Sequence, residues 1–260
     1  MSNALPPPSS EDLKSMPITA HLIELRAHLV RIFVAVIGIF VVLAYFARDL
    51  YQILSEPLQQ HLPANATMIA TDVTTTFMSP IKLTLYVAFF IAMPYILHQI
   101  WQFIAPALYK NEKRIAIPIL LSSIVLFYLG IAFAYFLALP NVLKFFMMFS
   151  PENVVPMTDI DSYLTFALKL FLVFGLTFEV PIATLLLILA RVVTVDSLVD
   201  KRRYIIVGCF AVSAVVTPPD GLSMLMLAIP MWLLFEFGLL LGRLVEPKPS
   251  AEAVDAREGD

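Results

Sequence analysis

Six apolar stretches, each closed by charged or proline-containing segments, set the rhythm of the chain. The first, Leu29–Phe46, is interrupted only by Arg31, one turn in, where a long side chain can reach an interface. The second, Ile81–Ile104, stays apolar until His98, Gln99 and Gln102 mark its end. The third, Ile115–Leu139, runs 25 residues without a charge, ample for a bilayer crossing of about 20 residues. The fourth, Tyr163–Ala190, is long and contains Lys169 and Glu179. The fifth, Tyr204–Val216, has only 13 residues, and the sixth, Leu222–Leu241, is uncharged for 14 residues before Glu236. Each run reads as a helix.

Composition turns these helices into membrane spans. The 260 residues are 60% hydrophobic and 14% charged, against about 25% charged in soluble domains, and the mean hydropathy is +0.85. Charge placement then decides the awkward fifth segment, which at about 1.5 Å per residue falls short of the hydrocarbon core. With six crossings and both termini in the cytoplasm, thirteen Lys and Arg lie inside, and only Arg48, Lys82, Lys144 and Lys169 lie outside or within the membrane. That bias is what topogenic charge rules produce. Were the fifth segment not to cross, the sixth would end outside with Arg243 and Lys248. A crossing is therefore expected, with the bilayer locally thinned around it. The predicted fold is all-α: a polytopic membrane domain over residues 17–243 with both termini cytoplasmic. The Pro- and acid-containing segments 1–16 and 244–260 are expected to be disordered tails. Two proline-bearing outer loops, Arg48–Ser79 and Pro140–Ser162, should fold back as short helices and turns. No internal repeat is visible, and the one cysteine, Cys209, excludes an internal disulfide.

Candidate chemistry is sparse. Ahead of the first span, Ile18, Leu22, Leu25 and Leu29 form an apolar helical stripe, and His21, Glu24, His28 and Arg31 a polar one. Glu24 could simply pair along its own helix with His28 or Arg31, for about 0.3–0.5 kcal/mol. The first inner loop, Tyr109-Lys110-Asn111-Glu112-Lys113-Arg114, carries one acid among three bases. Glu112 either screens these neighbours or joins Glu24 in receiving a cationic ligand. Two carboxylates suit two guanidinium groups, each through paired hydrogen bonds. Glu179, in Phe178-Glu179-Val180-Pro181, lies near the middle of the fourth span, where an ionised acid costs about 3 kcal/mol. It should face a polar cavity, pair or be protonated, beside a kink made by Pro181. In Thr217-Pro218-Pro219-Asp220 two prolines stop the fifth helix and Asp220 can cap the sixth. Gly238 and Gly242 match a GxxxG packing motif. Phosphate-loop, metalloprotease and nucleophile-elbow motifs are missing, so neither an enzyme nor a cofactor is expected.

Taken in order, His21-Leu22-Ile23-Glu24-Leu25-Arg26, Phe103-Ile104-Ala105-Pro106-Ala107-Leu108-Tyr109 with Glu112, Phe178-Glu179-Val180-Pro181 and Thr217-Pro218-Pro219-Asp220 resemble the TatC family. That family supplies the multi-spanning subunit of the twin-arginine protein translocase, and the resemblance runs from about Pro17 to Arg243. It implies a cupped bundle of six helices with short fifth and sixth spans. It also implies a receptor that binds the paired arginines of cargo signal peptides at Glu24 and Glu112, supported by Arg26 and Phe103. Pro57 and Asp220 match outer positions tied to transport or assembly, and Glu179 the polar residue of the concave face. The implied setting is the bacterial inner membrane, where the proton-motive force drives export of folded proteins. The implied partners are the signal peptides, single-span TatA- and TatB-type subunits, the lipid bilayer and further copies in a larger complex, with no nucleic acid. Many family members carry Gln early in the sixth helix where this chain has Met224, so a partner helix would use Thr217 or pack apolarly on Met224. The alternative is a proton-coupled transporter of a small cationic solute, with Glu179 as coupling acid.

Overall fold

A computed structural model describes residues 18–52, 69–72, 74–104, 113–148, 159–190, 192–217 and 221–245. Nine α-helices are named within these segments: α1 Ile18–Ala44, α2 Thr75–Ile104, α3 Lys113–Phe133, α4 Leu139–Met148, α5 Ile160–Phe178, α6 Val180–Leu189, α7 Val195–Asp200, α8 Arg202–Val216 and α9 Gly221–Val245. Among the described residues there is no β-strand, only an isolated bridge between Ile69 and Asp159. Five helical stretches are long and apolar enough to cross a membrane: Leu22–Ala44, Thr75–Phe103, Ile117–Phe146, Ile160–Leu189 and Gly221–Leu244. The 15 residues of α8 rise about 22 Å and correspond to the short fifth run.

Prolines shape these helices, and one group they free is visibly re-satisfied. Pro94 lies inside α2 and has no N–H for the carbonyl of residue 90. The Tyr128 hydroxyl of α3 donates to that Phe90 carbonyl at 3.0 Å. The third apolar run ends at Leu139, and an outer loop is expected from Pro140. Instead the chain takes a π turn over Ala134–Ala138, where the Leu139 N–H reaches back to the Ala134 carbonyl. The helix then runs on through α4. The wider turn relieves the crowding a proline ring brings to the turn before it, so the span extends to Phe146.

Small residues bring the helices together, as expected where packing rather than water drives association. A Cβ on Gly130 of α3 would lie 2.6 Å from the Phe174 carbonyl oxygen of α5. Facing it, a Cβ on Gly175 would lie 2.7 Å from the Phe127 ring. Phe127 and Phe174 are fully buried at this crossing. On α9, a Cβ on Gly238 would lie 2.8 Å from the Pro181 Cα, and one on Gly242 would strike Ile188. The GxxxG pair is thus the face that meets α6. The outward faces are apolar: Phe33, Val34, Val41, Val42, Phe136 and Val215 are all exposed. An apolar exterior is what a bilayer solvates.

Polar contacts close one end of the bundle, and basic residues gather at the other. At one end Lys82 of α2 makes an ion pair with Asp161 of α5 at 2.9 Å, and Ser79 donates to the same carboxylate at 2.5 Å. Asp159 caps α5 by accepting from the Ser162 N–H at 3.1 Å and also accepts from the Thr71 hydroxyl at 3.2 Å. The opposite end gathers the start of α1, the end of α2 and the start of α8, with Arg26, Arg31, Lys201, Arg202 and Arg203.

Candidate functional site

The basic end holds the first site. There α1 and α2 run antiparallel, since the start of one meets the end of the other. His28 Nδ1 stands 2.7 Å from Gln99 Oε1, and both side chains are buried. The His28 ring meets Phe103 edge-on, with 6.1 Å between centroids. Glu24 is one turn before His28 on α1, and Phe103 is one turn after Gln99 on α2. Both therefore lie about 6 Å beyond the His28–Gln99 contact, toward the same end of the bundle. Glu24 is half-buried and Arg26 exposed.

The intrahelical alternative for Glu24 does not form. The ion pairs among the described residues are Lys82–Asp161 and Arg202–Glu236, and His28 is turned to Gln99 instead. Glu24 thus offers a carboxylate with no cation held against it among the described residues. Glu112 lies outside the described residues, immediately before Lys113, the first residue of α3.

The second constellation is the break between α5 and α6. Glu179 closes α5, its N–H donating to the Leu176 carbonyl at 3.1 Å, and its own carbonyl accepts from the Ala183 N–H at 2.8 Å as α6 begins. Pro181 sits in the first turn of α6. Ser123 of α3 is buried beside the Glu179 carboxyl, whose Oε1 has no partner among the described residues. The helix breaks beside Pro181 as predicted, and Ser123 is a polar neighbour of the acid.

The remaining candidates separate. Thr217 is buried, and its hydroxyl donates to the Ser213 carbonyl at 2.8 Å; Met224 is partly buried on α9. Pro57 and Asp220 lie outside the described residues. One feature escaped sequence reasoning: Arg202 of α8 pairs with Glu236 of α9 at 2.7 Å. Its signal was there, an acid ending an apolar run and a basic trio opening a short helix, but nothing linked the two. Among the described residues no cluster of His, Cys, Asp and Glu is suited to a metal.

Comparison with known proteins gives a consistent result. The family model for Sec-independent protein translocase protein (TatC) matches residues 20–230. A Sec-independent protein translocase protein TatC of Azotobacter chroococcum is 52% identical over 249 residues, covering 96% of each chain. The TatC protein of Escherichia coli K12 is 49% identical over 229 residues, 88% of this chain and 89% of the other. A crystal structure described as the twin arginine translocase receptor TatC superposes with a TM-score of 0.79 at 41% identity, covering 86% of this chain and 98% of that one.

Proposed function

This chain belongs to the TatC family, a non-enzymatic component of the Sec-independent protein translocase, and on that premise we propose that it is the receptor for twin-arginine signal peptides and the core scaffold of the translocase. Its multi-pass helical architecture is shared with the solved relative, and membership displaces the reading as a small-cation transporter. The observation that carries the proposal is Glu24: a half-buried carboxylate, unpaired among the described residues, in the same tier as Phe103 at the basic end. Glu24 and Glu112 receive the two guanidinium groups, and Arg26 and Phe103 support the site. A guanidinium fork binding a partly desolvated carboxylate gains two parallel charge-assisted hydrogen bonds. The apolar part of the peptide then moves along the bundle toward Glu179.

In this reading the chain crosses the bacterial inner membrane six times, α8 being the fifth crossing, with both termini in the cytoplasm. The bias of Lys and Arg toward one set of loops supports that orientation. Residues 17–243 form the single membrane domain, and TatA- and TatB-type subunits are the partners. Pro57 and Asp220 act in transport or assembly on the outer side, and Thr217 and Met224 meet a partner helix. The test is site-specific photo-crosslinking of a twin-arginine peptide in vesicles. Glu24→Lys and Glu112→Lys should each abolish the crosslink, and Arg→Lys changes in the peptide should weaken it. A crosslink that survives both protein changes overturns the two-acid site.

A further inference from the structure

The helix that carries Glu24 is the least buried of the long helices: only 6% of its most apolar stretch is buried, against 28% to 44% in the other four. Its apolar contacts with the bundle come later along the helix, at Ile32, Val36 and Ile39, which pack beside Ala92, Met93 and Ile96. A helix packed by smooth apolar surfaces can roll and slide, because dispersion contacts carry little directional preference. At the basic end a polar contact fixes it. His28 and Gln99 are 7% and 5% exposed and their side chains meet at 2.7 Å. A buried hydrogen bond of this kind is costly to leave unmade, so it favours one rotation and one height of α1 against α2.

We infer that His28 and Gln99 are positioning residues for the signal-peptide site: their hydrogen bond sets where Glu24 and Phe103 stand for the incoming arginines. The inference rests on the proposed role of Glu24. The geometry is reciprocal. Glu24 precedes His28 by four residues, and Phe103 follows Gln99 by four. On antiparallel helices both steps lead the same way, so the contact lies one turn below both site residues. A roll of α1 about its axis would swing the Glu24 carboxylate away from Phe103 while leaving both residues chemically intact. The His28 ring adds a second restraint by meeting Phe103 edge-on.

The experiment measures the affinity of full-length protein in nanodiscs for a synthetic peptide with Arg-Arg and for its Lys-Lys counterpart. His28→Ala and Gln99→Ala should each weaken Arg-Arg binding about tenfold and reduce the preference over Lys-Lys, with the double variant no weaker than either single. The swapped pair, His28→Gln with Gln99→His, should restore affinity to within about twofold, since donor and acceptor are both retained. Leu168→Ala, in the core of α5, controls for a general loss of stability and should leave the peptide preference intact. Additive losses, or an unchanged preference in both single variants, overturn the positioning role. Glu24→Lys run in parallel separates the two ideas: if it binds normally, the acceptor role fails, whereas loss in Glu24→Lys with normal binding in both Ala variants refutes positioning alone.

Discussion

Replacing a glycine by alanine has opposite consequences at different places in this bundle, and the contrast tests how its helices are held. Gly38 faces open space: a Cβ there meets nothing within 4 Å. Gly130 faces the Phe174 carbonyl at 2.6 Å and the Gly175 Cα at 3.0 Å. Both lie inside helices, so each substitution gains about 1 kcal/mol of helix propensity. At Gly38 nothing opposes that gain. At Gly130 the obstacle is backbone, which no rotamer change can clear, so α3 and α5 must separate and loosen Phe127 and Phe174. Overpacking of this kind costs about 1–3 kcal/mol, which leaves Gly130→Ala a net loss of up to about 2 kcal/mol. For a chain of this size 1 kcal/mol shifts the unfolding midpoint by about 2–4 °C. Thermal unfolding of the purified protein in detergent should therefore place Gly130→Ala about 4 °C below the parent and Gly38→Ala about 2 °C above it. Gly242→Ala should fall between, because the tip of the Ile188 side chain can move. Equal midpoints for Gly130→Ala and Gly38→Ala would refute the close-approach argument.

Three further outcomes follow from single contacts. Tyr128→Phe removes the hydroxyl that serves the Phe90 carbonyl freed by Pro94, so chemical unfolding should show a loss of about 1 kcal/mol. Arg202→Gln and Glu236→Gln each leave one half-buried charge without its partner; in a double-mutant cycle the pair together should cost less than the sum of the singles. The Ser162 hydroxyl and N–H, with Thr71, hold the Asp159 carboxyl below its ordinary value of 3.8. Its contribution is therefore complete above that value and fades as pH falls through the lowered one. Hydrogen exchange at the Ile160 amide, which donates to the Ile69 carbonyl, should be protected alike at pH 6 and 8 relative to base-catalysed intrinsic rates. It should lose protection at pH 3 or below, and Asp159→Asn should remove the pH dependence.

What the sequence disclosed and what it hid divide along a physical line. Apolar length gave the helices, and GxxxG gave the face of α9 that meets α6. Pro181 marked the break after Glu179, because proline acts on its own chain and so is local. Contacts between helices were hidden. His28 looked like a partner for Glu24 four residues away, yet it bonds Gln99, 71 residues on. Arg202 and Glu236 are 34 apart. Such pairs depend on how each helix is rotated about its axis, and a run that is apolar all round has no polar face to record that rotation. The outer loop expected from Pro140 starts as helix instead, because a π turn just before the ring lets the helix continue.

The break at Glu179 shows why the close approach of α9 matters beyond stability. A proline inside a membrane span exposes backbone that lipid cannot hydrogen-bond, so the break must be covered by protein. Gly238 does this: lacking a side chain, it lets α9 lie against the Pro181 Cα, with Thr184 beside it. On the other side Ser123 of α3 reaches the Glu179 carboxyl, and the fully buried Phe174 lies one turn earlier on α5. The acid therefore stands at a junction of three helices, with Oε1 unpartnered among the described residues. Gly238→Leu forces α9 away from Pro181 and opens that junction while leaving Glu24, His28 and Gln99 untouched. If the junction serves passage of the peptide rather than its first recognition, this variant binds an Arg-Arg peptide normally but fails to export cargo from vesicles. Loss of both would instead make the α6–α9 contact a general support of the fold, and retention of both would remove the junction from the mechanism.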